Sequence, residues 1–202
     1  MDREEAEKAL AIIRQVVQDT RDDLIERNWG LIWMIHAFTN LAAFLTLGLA
    51  IEPRGLPIYW YLVPLAIVAG VDLAIVLLLV RRQDGVRSFV EWQLHGIWTT
   101  FILFSALAAV LLYVAPASPR LYCPLLALTS GIGFAMMGVV FYRRFFLFAA
   151  LFMLVALVAP FLPAVQWLLF GAVWWAALFI PGLSMHRENR RRLHDESRAQ
   201  LL

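Results

Sequence analysis

Six apolar stretches follow one another along the chain, at about residues 29–51, 58–80, 95–115, 121–142, 145–162 and 164–180. Nothing else in the sequence constrains the fold so much. A hydrocarbon layer roughly 30 Å thick takes about 20 apolar residues per helical crossing, so six crossings use about 120 residues. The remainder of the 202 residues suffices for two tails and short links, and leaves no room for a separate soluble domain. Apolar types make up 62% and charged types 16%, where soluble domains carry about 45–50% and about 25%. A soluble globule, a disordered chain and a disulfide scaffold are therefore excluded. Cys123 is the one cysteine, which rules out an intramolecular disulfide and, alone, makes no metal site. It reads as a buried structural thiol.

The links are tight. Glu52-Pro53-Arg54-Gly55 reads as the first turn, Pro116 to Arg120 as the third link, Arg143-Arg144 as the fourth, and Pro160 to Pro163 as the fifth. Links this short force antiparallel neighbours. The chain is thus predicted to be an all-α integral membrane protein: a cytoplasmic amphipathic helix over 1–28, a six-span bundle over 29–182, and an Arg-rich cytoplasmic tail over 183–202. Hairpins ending in Arg81-Arg82, Arg143-Arg144 and Arg190-Arg191-Arg192 suggest three tandem helical hairpins. The need of every inner loop for arginine explains the same pattern.

Orientation follows from the basic residues. Sixteen of the 17 are arginines, and Lys8 is the other. Fifteen fall in the tails and in the second and fourth links, while only Arg54 and Arg120 lie on the opposite side. Basic residues stay in the cytoplasm, so both termini are expected there, and the Arg-rich, Lys-poor usage, which suits a GC-rich genome, leads to the expectation of a bacterial inner membrane. Trp29 and Trp92 are read as inner interfacial anchors, and Tyr59, Trp60, Tyr61, Tyr113 and Tyr122 as outer ones. The charged first 28 residues lack the pattern of a cleaved signal peptide. The basic balance lies at segment ends rather than on a soluble face, so nucleic acid is not an expected partner.

Ala6, Leu10, Ile13, Val17, Thr20 and Leu24 form a heptad seam in the N-terminal segment. Its polar face carries more acidic than basic residues, which disfavours an anionic leaflet. The seam is therefore expected to dock a partner helix, a second copy of the chain or the protein's own cytoplasmic loops, with Leu10, Ile13, Val17 and Leu24 as contacts. The C-terminal tail has five arginines against Glu188, Asp195 and Glu196 and offers a partner for the acidic N-terminal segment.

Ionisable residues inside a span are costly and normally paired. Asp72 lies about 12 Å and His36 about 10 Å from the inner boundary at 1.5 Å per residue. Their spans are antiparallel neighbours, so the two meet at matching depth. Asn40 follows His36 by one turn, and His95 enters from the third span. His36, Asn40, Asp72 and His95 are the candidate polar cluster. It either pins helices together or takes up a proton or cation as in a carrier. His36 and His95 differ by roughly two turns in depth, about 10 Å, which does not suit a shared metal or haem. No metal or cofactor is expected, and no nucleotide-binding fingerprint occurs.

Ser130-Gly131-Ile132-Gly133-Phe134-Ala135-Met136-Met137-Gly138 resembles the serine segment of rhomboid intramembrane proteases, and His36-Ala37-Phe38-Thr39-Asn40 is similar to their His-x-x-x-Asn segment. The resemblance implies Ser130 as nucleophile, with His36 and Asn40 near the oxyanion. The sixth segment departs from that pattern, because it has no histidine to serve as base. Gly131, Gly133 and Gly138 read alternatively as a strip for close helix packing. The paired Trp174-Trp175 and the phenylalanines from Phe141 to Phe152 read as packing or lipid-facing bulk. The expected function is a non-enzymatic accessory, scaffold or regulatory membrane protein that docks partners through its N-terminal helix. The alternative is a small transporter or proton-coupled carrier built on Asp72 and His36.

Overall fold

A computed structural model describes residues 29–79, 89–115 and 118–199, together with Glu5, Glu7, Lys8 and Gln15. The seam residues Leu10, Ile13, Val17 and Leu24 lie outside the described residues. Helix α1 spans Trp29–Thr46, α2 Ile58–Leu79, α3 Phe89–Val114, α4 Tyr122–Val140, α5 Phe145–Val158 and α6 Gln166–Ala199. Among the described residues there is no strand. Five segments are long and apolar enough to cross a membrane: Trp29–Arg54, Ile58–Ile75, Gly96–Val114, Tyr122–Val140 and Gln166–Arg192. The sixth apolar helix, Phe145–Phe161, is shorter.

Two helices outrun their apolar stretches. α3 begins at Phe89 rather than near residue 95, and α6 passes Pro181 and continues to Ala199. Hydropathy marks the part in lipid, whereas backbone hydrogen bonding carries a helix beyond it. An ion pair between Glu188 and Arg192, 3.3 Å apart at i,i+4 spacing, supports the extension of α6.

Among the described helices, α1 and α6 share the most extensive contact, followed by α4 and α5. Both pairings cross between the tandem hairpins expected from the sequence. Glycines explain the approach. A Cβ on Gly30 would lie 2.6 Å from the Gly182 carbonyl oxygen and from the His186 nitrogen, and one on Gly182 would lie 2.8 Å from the Gly30 oxygen. Further along the same antiparallel crossing, a Cβ on Gly171 would meet Phe44 Cβ at 2.9 Å. In lipid, helices have no hydrophobic drive to associate, so backbone proximity and packing take its place. Gly131 and Gly138 likewise face α5, against Met153 and Phe146, whereas Gly133 faces open space. The packing strip read in the sequence thus holds at two of its three glycines.

Aromatic rings fill the centre. Trp174 of α6 is buried and contacts Phe44 of α1, Trp98 and Phe101 of α3, Phe134 of α4 and Phe152 of α5. Five helices therefore meet on one indole. Phe134 and Phe152 stack with centroids 5.1 Å apart, and Phe44 meets Phe170 edge-on at 4.7 Å. α2 joins this core mainly through Ile58 and Tyr61, the latter against Trp167, while most of its described surface is exposed.

Candidate functional site

Beyond the apolar contacts that Ile58, Tyr61, Leu62 and Leu65 make with the core, α2 is tied to α1 by two polar clusters. The first is centred on Asp72. Thr39 Oγ1 donates to Asp72 Oδ1 at 3.1 Å, and Asn40 Nδ2 donates to Asp72 Oδ2 at 3.0 Å. His36 Nδ1 lies 3.5 Å from Asp72 Oδ2. Asn40 Nδ2 gives its second hydrogen to the His36 carbonyl at 2.8 Å, and the Thr39 hydroxyl, whose single hydrogen is shared, lies 3.2 Å from the same carbonyl; both side chains are thus held on one turn of α1. The structure thus brings together His36, Asn40 and Asp72 as the sequence predicted. It adds Thr39, which lies one residue from Asn40 and was legible only as part of that turn. His95 falls within α3, but its side chain lies outside the described residues. His36 Nε2 is buried and has no hydrogen-bond partner among the described residues.

The second cluster, around Glu52, was not foreseen. Glu52, read as part of a turn, has a side chain only 7% exposed. Tyr61 OH donates to Glu52 Oε2 at 2.6 Å, Trp167 Nε1 donates to Oε2 at 3.3 Å, and Gln166 Nε2 donates to Oε1 at 3.1 Å. Arg120 Nε completes the set 3.7 Å from Oε1. The end of α1, the start of α2, the turn before α4 and the start of α6 are tied to one carboxylate.

Local backbone chemistry places that carboxylate. Proline lacks a donor, and its ring crowds the carbonyl four residues back. Ahead of Pro53, α1 widens into a π-helical turn over Leu47–Ile51, and the Glu52 N–H bonds the Leu47 carbonyl. A short 3₁₀ turn over Glu52–Arg54 follows, closed by Gly55 in the left-handed region at φ 59°. Phe44, Gly48 and Glu52 succeed one another along the face that meets α6. A signal for this cluster was present. Glu52, Tyr61, Arg120, Gln166 and Trp167 all sit at the same end of their segments, so the topology alone places them in one layer.

Two expected outer anchors turn inward for the same reason. Tyr61 is buried against Glu52, and Tyr122 is buried with its hydroxyl donating to the Ser105 carbonyl at 3.4 Å. Trp29 is buried as well, while Tyr59, Trp60, Trp92 and Tyr113 remain exposed as interfacial anchors require. The protease-like arrangement does not assemble. Ser130 is buried with its hydroxyl donated to the Leu126 carbonyl at 2.6 Å, and His36 faces Asp72.

Between the two polar clusters, α1 and α2 enclose a groove of about 650 Å³ that opens sideways. Ala42, Thr46 and Ala50 line it from α1, and Pro64 and Ile67 from α2. It runs from Thr39, beside Asp72, to Arg54 and Trp60 at the opposite end. Among the described residues, no group of three or more His, Cys, Asp or Glu side chains is placed to hold a metal ion.

No protein-family model, curated protein or solved structure matches the chain. The helices and their packing define it as a multi-pass helical membrane protein.

Proposed function

We propose that the chain is a non-enzymatic scaffold or regulatory protein of a bacterial inner membrane, with six crossings, both tails in the cytoplasm, and a partner or second copy docked through residues 2–27. The observation that carries this reading is the filled centre, in which Trp174 joins five helices in one aromatic cluster. Such a core suits a rigid support better than a passage for solutes. The polar groups agree with it, because Asp72 and Glu52 each receive several donors and bind helices together. The shorter α5 is compatible with a sixth crossing. With its closing 3₁₀ turn it reaches about 27 Å, close to the roughly 30 Å hydrocarbon thickness.

Crosslinking in intact membranes tests the reading. A crosslinker photoactivated from residue 9 should trap one defined species, either a homodimer or a single partner. Changing Leu10, Ile13 and Val17 together to glutamate should abolish the trapped species, and Asp72→Asn should leave it intact. Retention in the triple variant, or the absence of any defined species, overturns the proposal.

One observation favours the alternative carrier. The lateral groove ends at Thr39, whose hydroxyl is bonded to Asp72, so a solute in the groove reaches the polar cluster. On that reading, purified protein in liposomes drives a pH-dependent flux that Asp72→Asn abolishes without unfolding the bundle.

A further inference from the structure

The geometry points to the groove between α1 and α2 as a lipid site. It takes one acyl chain of an anionic phospholipid from the leaflet on the α1–α2 turn side, with its phosphate held by Arg54. Three observations carry this assignment, and none depends on the scaffold reading.

The first is the wall. α2 is fastened to α1 at Asp72 and at Tyr61, and between these points α1 presents Ala42, Thr46 and Ala50 at four-residue spacing. These side chains are short, so the gap stays open. The Thr46 hydroxyl is already donated to the Ala42 carbonyl at 2.9 Å. Water in a cavity needs two to four polar partners, and the stretch between the Thr39 and Arg54 ends does not offer them, since the Thr46 hydroxyl is its one polar side-chain group. An empty gap forfeits dispersion contacts on both walls. A hydrocarbon chain is the filling that restores them.

The second is size. The volume of about 650 Å³ falls within the ~300–1,000 Å³ of small-molecule sites. From Thr39 to Arg54 the groove follows about 22 Å of helix, longer than the roughly 15 Å half-thickness of the hydrocarbon layer. A chain anchored at Arg54 therefore lies extended along its whole length.

The third is charge. Arg54 stands exposed at the turn end and donates to the Ala50 carbonyl of its own helix. The nearby Glu52 carboxylate is already occupied by Tyr61, Gln166, Trp167 and Arg120. The remaining guanidinium donors are open to a phosphate, which arginine binds in a bidentate fork. Trp60 lines the same end, where an indole suits the headgroup boundary.

Native mass spectrometry of the delipidated full-length protein tests the site, with phosphatidylglycerol and phosphatidylcholine of equal chain length as probes. The wild type should bind one phosphatidylglycerol about tenfold more tightly than phosphatidylcholine, equivalent to about 1.4 kcal/mol. Arg54→Gln should bring the two lipids to near equality. Thr46→Phe should weaken both, and Ala42→Leu serves as a second groove-filling variant should the first misfold. Both positions are exposed, so larger side chains do not disturb the core. Glycerol phosphate without acyl chains should not compete. Equal binding of the two lipids by the wild type, unchanged binding in a folded groove-filled variant, or full competition by glycerol phosphate overturns the assignment.

Discussion

Replacing Gly30 with alanine is expected to push α1 away from α6. The added Cβ would sit 2.6 Å from two backbone atoms, the Gly182 oxygen and the His186 nitrogen, where ordinary contact begins at 3.4 Å. The helices must therefore part by about 0.8 Å at this crossing, and a gap of that size forfeits a quarter to a half of each contact well it opens. Overpacking costs about 1–3 kcal/mol, and two rigid backbone neighbours place Gly30 at the upper end. Alanine returns about 0.5–1 kcal/mol through helix propensity, so the net loss is about 2 kcal/mol. Gly133→Ala provides the control. With nothing within 4 Å of its new Cβ, it should be neutral or slightly stabilising. Adding Gly182→Ala to Gly30→Ala should cost less than the two single losses together, because one separation relieves both clashes. Unfolding of the detergent-purified protein by heat or by dodecyl sulfate titration reads these differences. Equal stability of the Gly30 and Gly133 variants would refute the reasoning.

Other substitutions separate the two polar clusters. Tyr61→Phe removes a donor from the buried Glu52 carboxylate and should cost about 1.5–3 kcal/mol in unfolding experiments, whereas Arg120→Ala removes an exposed partner and should cost less than about 1 kcal/mol. Asn40→Ala should loosen the Asp72 cluster by roughly 0.6–1.7 kcal/mol, the range for interhelical hydrogen bonds in lipid. Phe152→Ala opens a cavity beside Trp174 and should cost about 3–5 kcal/mol on the same assay.

Five helices of membrane-crossing length were legible because lipid thickness dictates their length and charge cannot enter them cheaply. The meeting of His36, Asn40 and Asp72 was legible for a related reason: antiparallel neighbours place residues of equal depth side by side. The pairing of α1 with α6 was not. It rests on Gly30, Gly171 and Gly182, and a glycine that admits a neighbouring backbone reads the same in sequence as one, such as Gly133, that faces open space. Glu52 was hidden by its own neighbours, since Glu-Pro-Arg-Gly has the composition of an exposed turn. Tyr61 and Tyr122 show the same ambiguity, because a ring at the membrane edge can anchor in the headgroups or turn inward to a polar partner.

Topology reporters test the central claim most directly, namely that these apolar helices cross a membrane with the arginine-rich ends in the cytoplasm. Fluorescent-protein and alkaline-phosphatase fusions after Leu202 and after Arg120 should give opposite answers. Fluorescence is expected only from the fusion at Leu202, and phosphatase activity only from the fusion at Arg120. The reverse pattern, or fused chains recovered from the soluble fraction without detergent, would contradict the account.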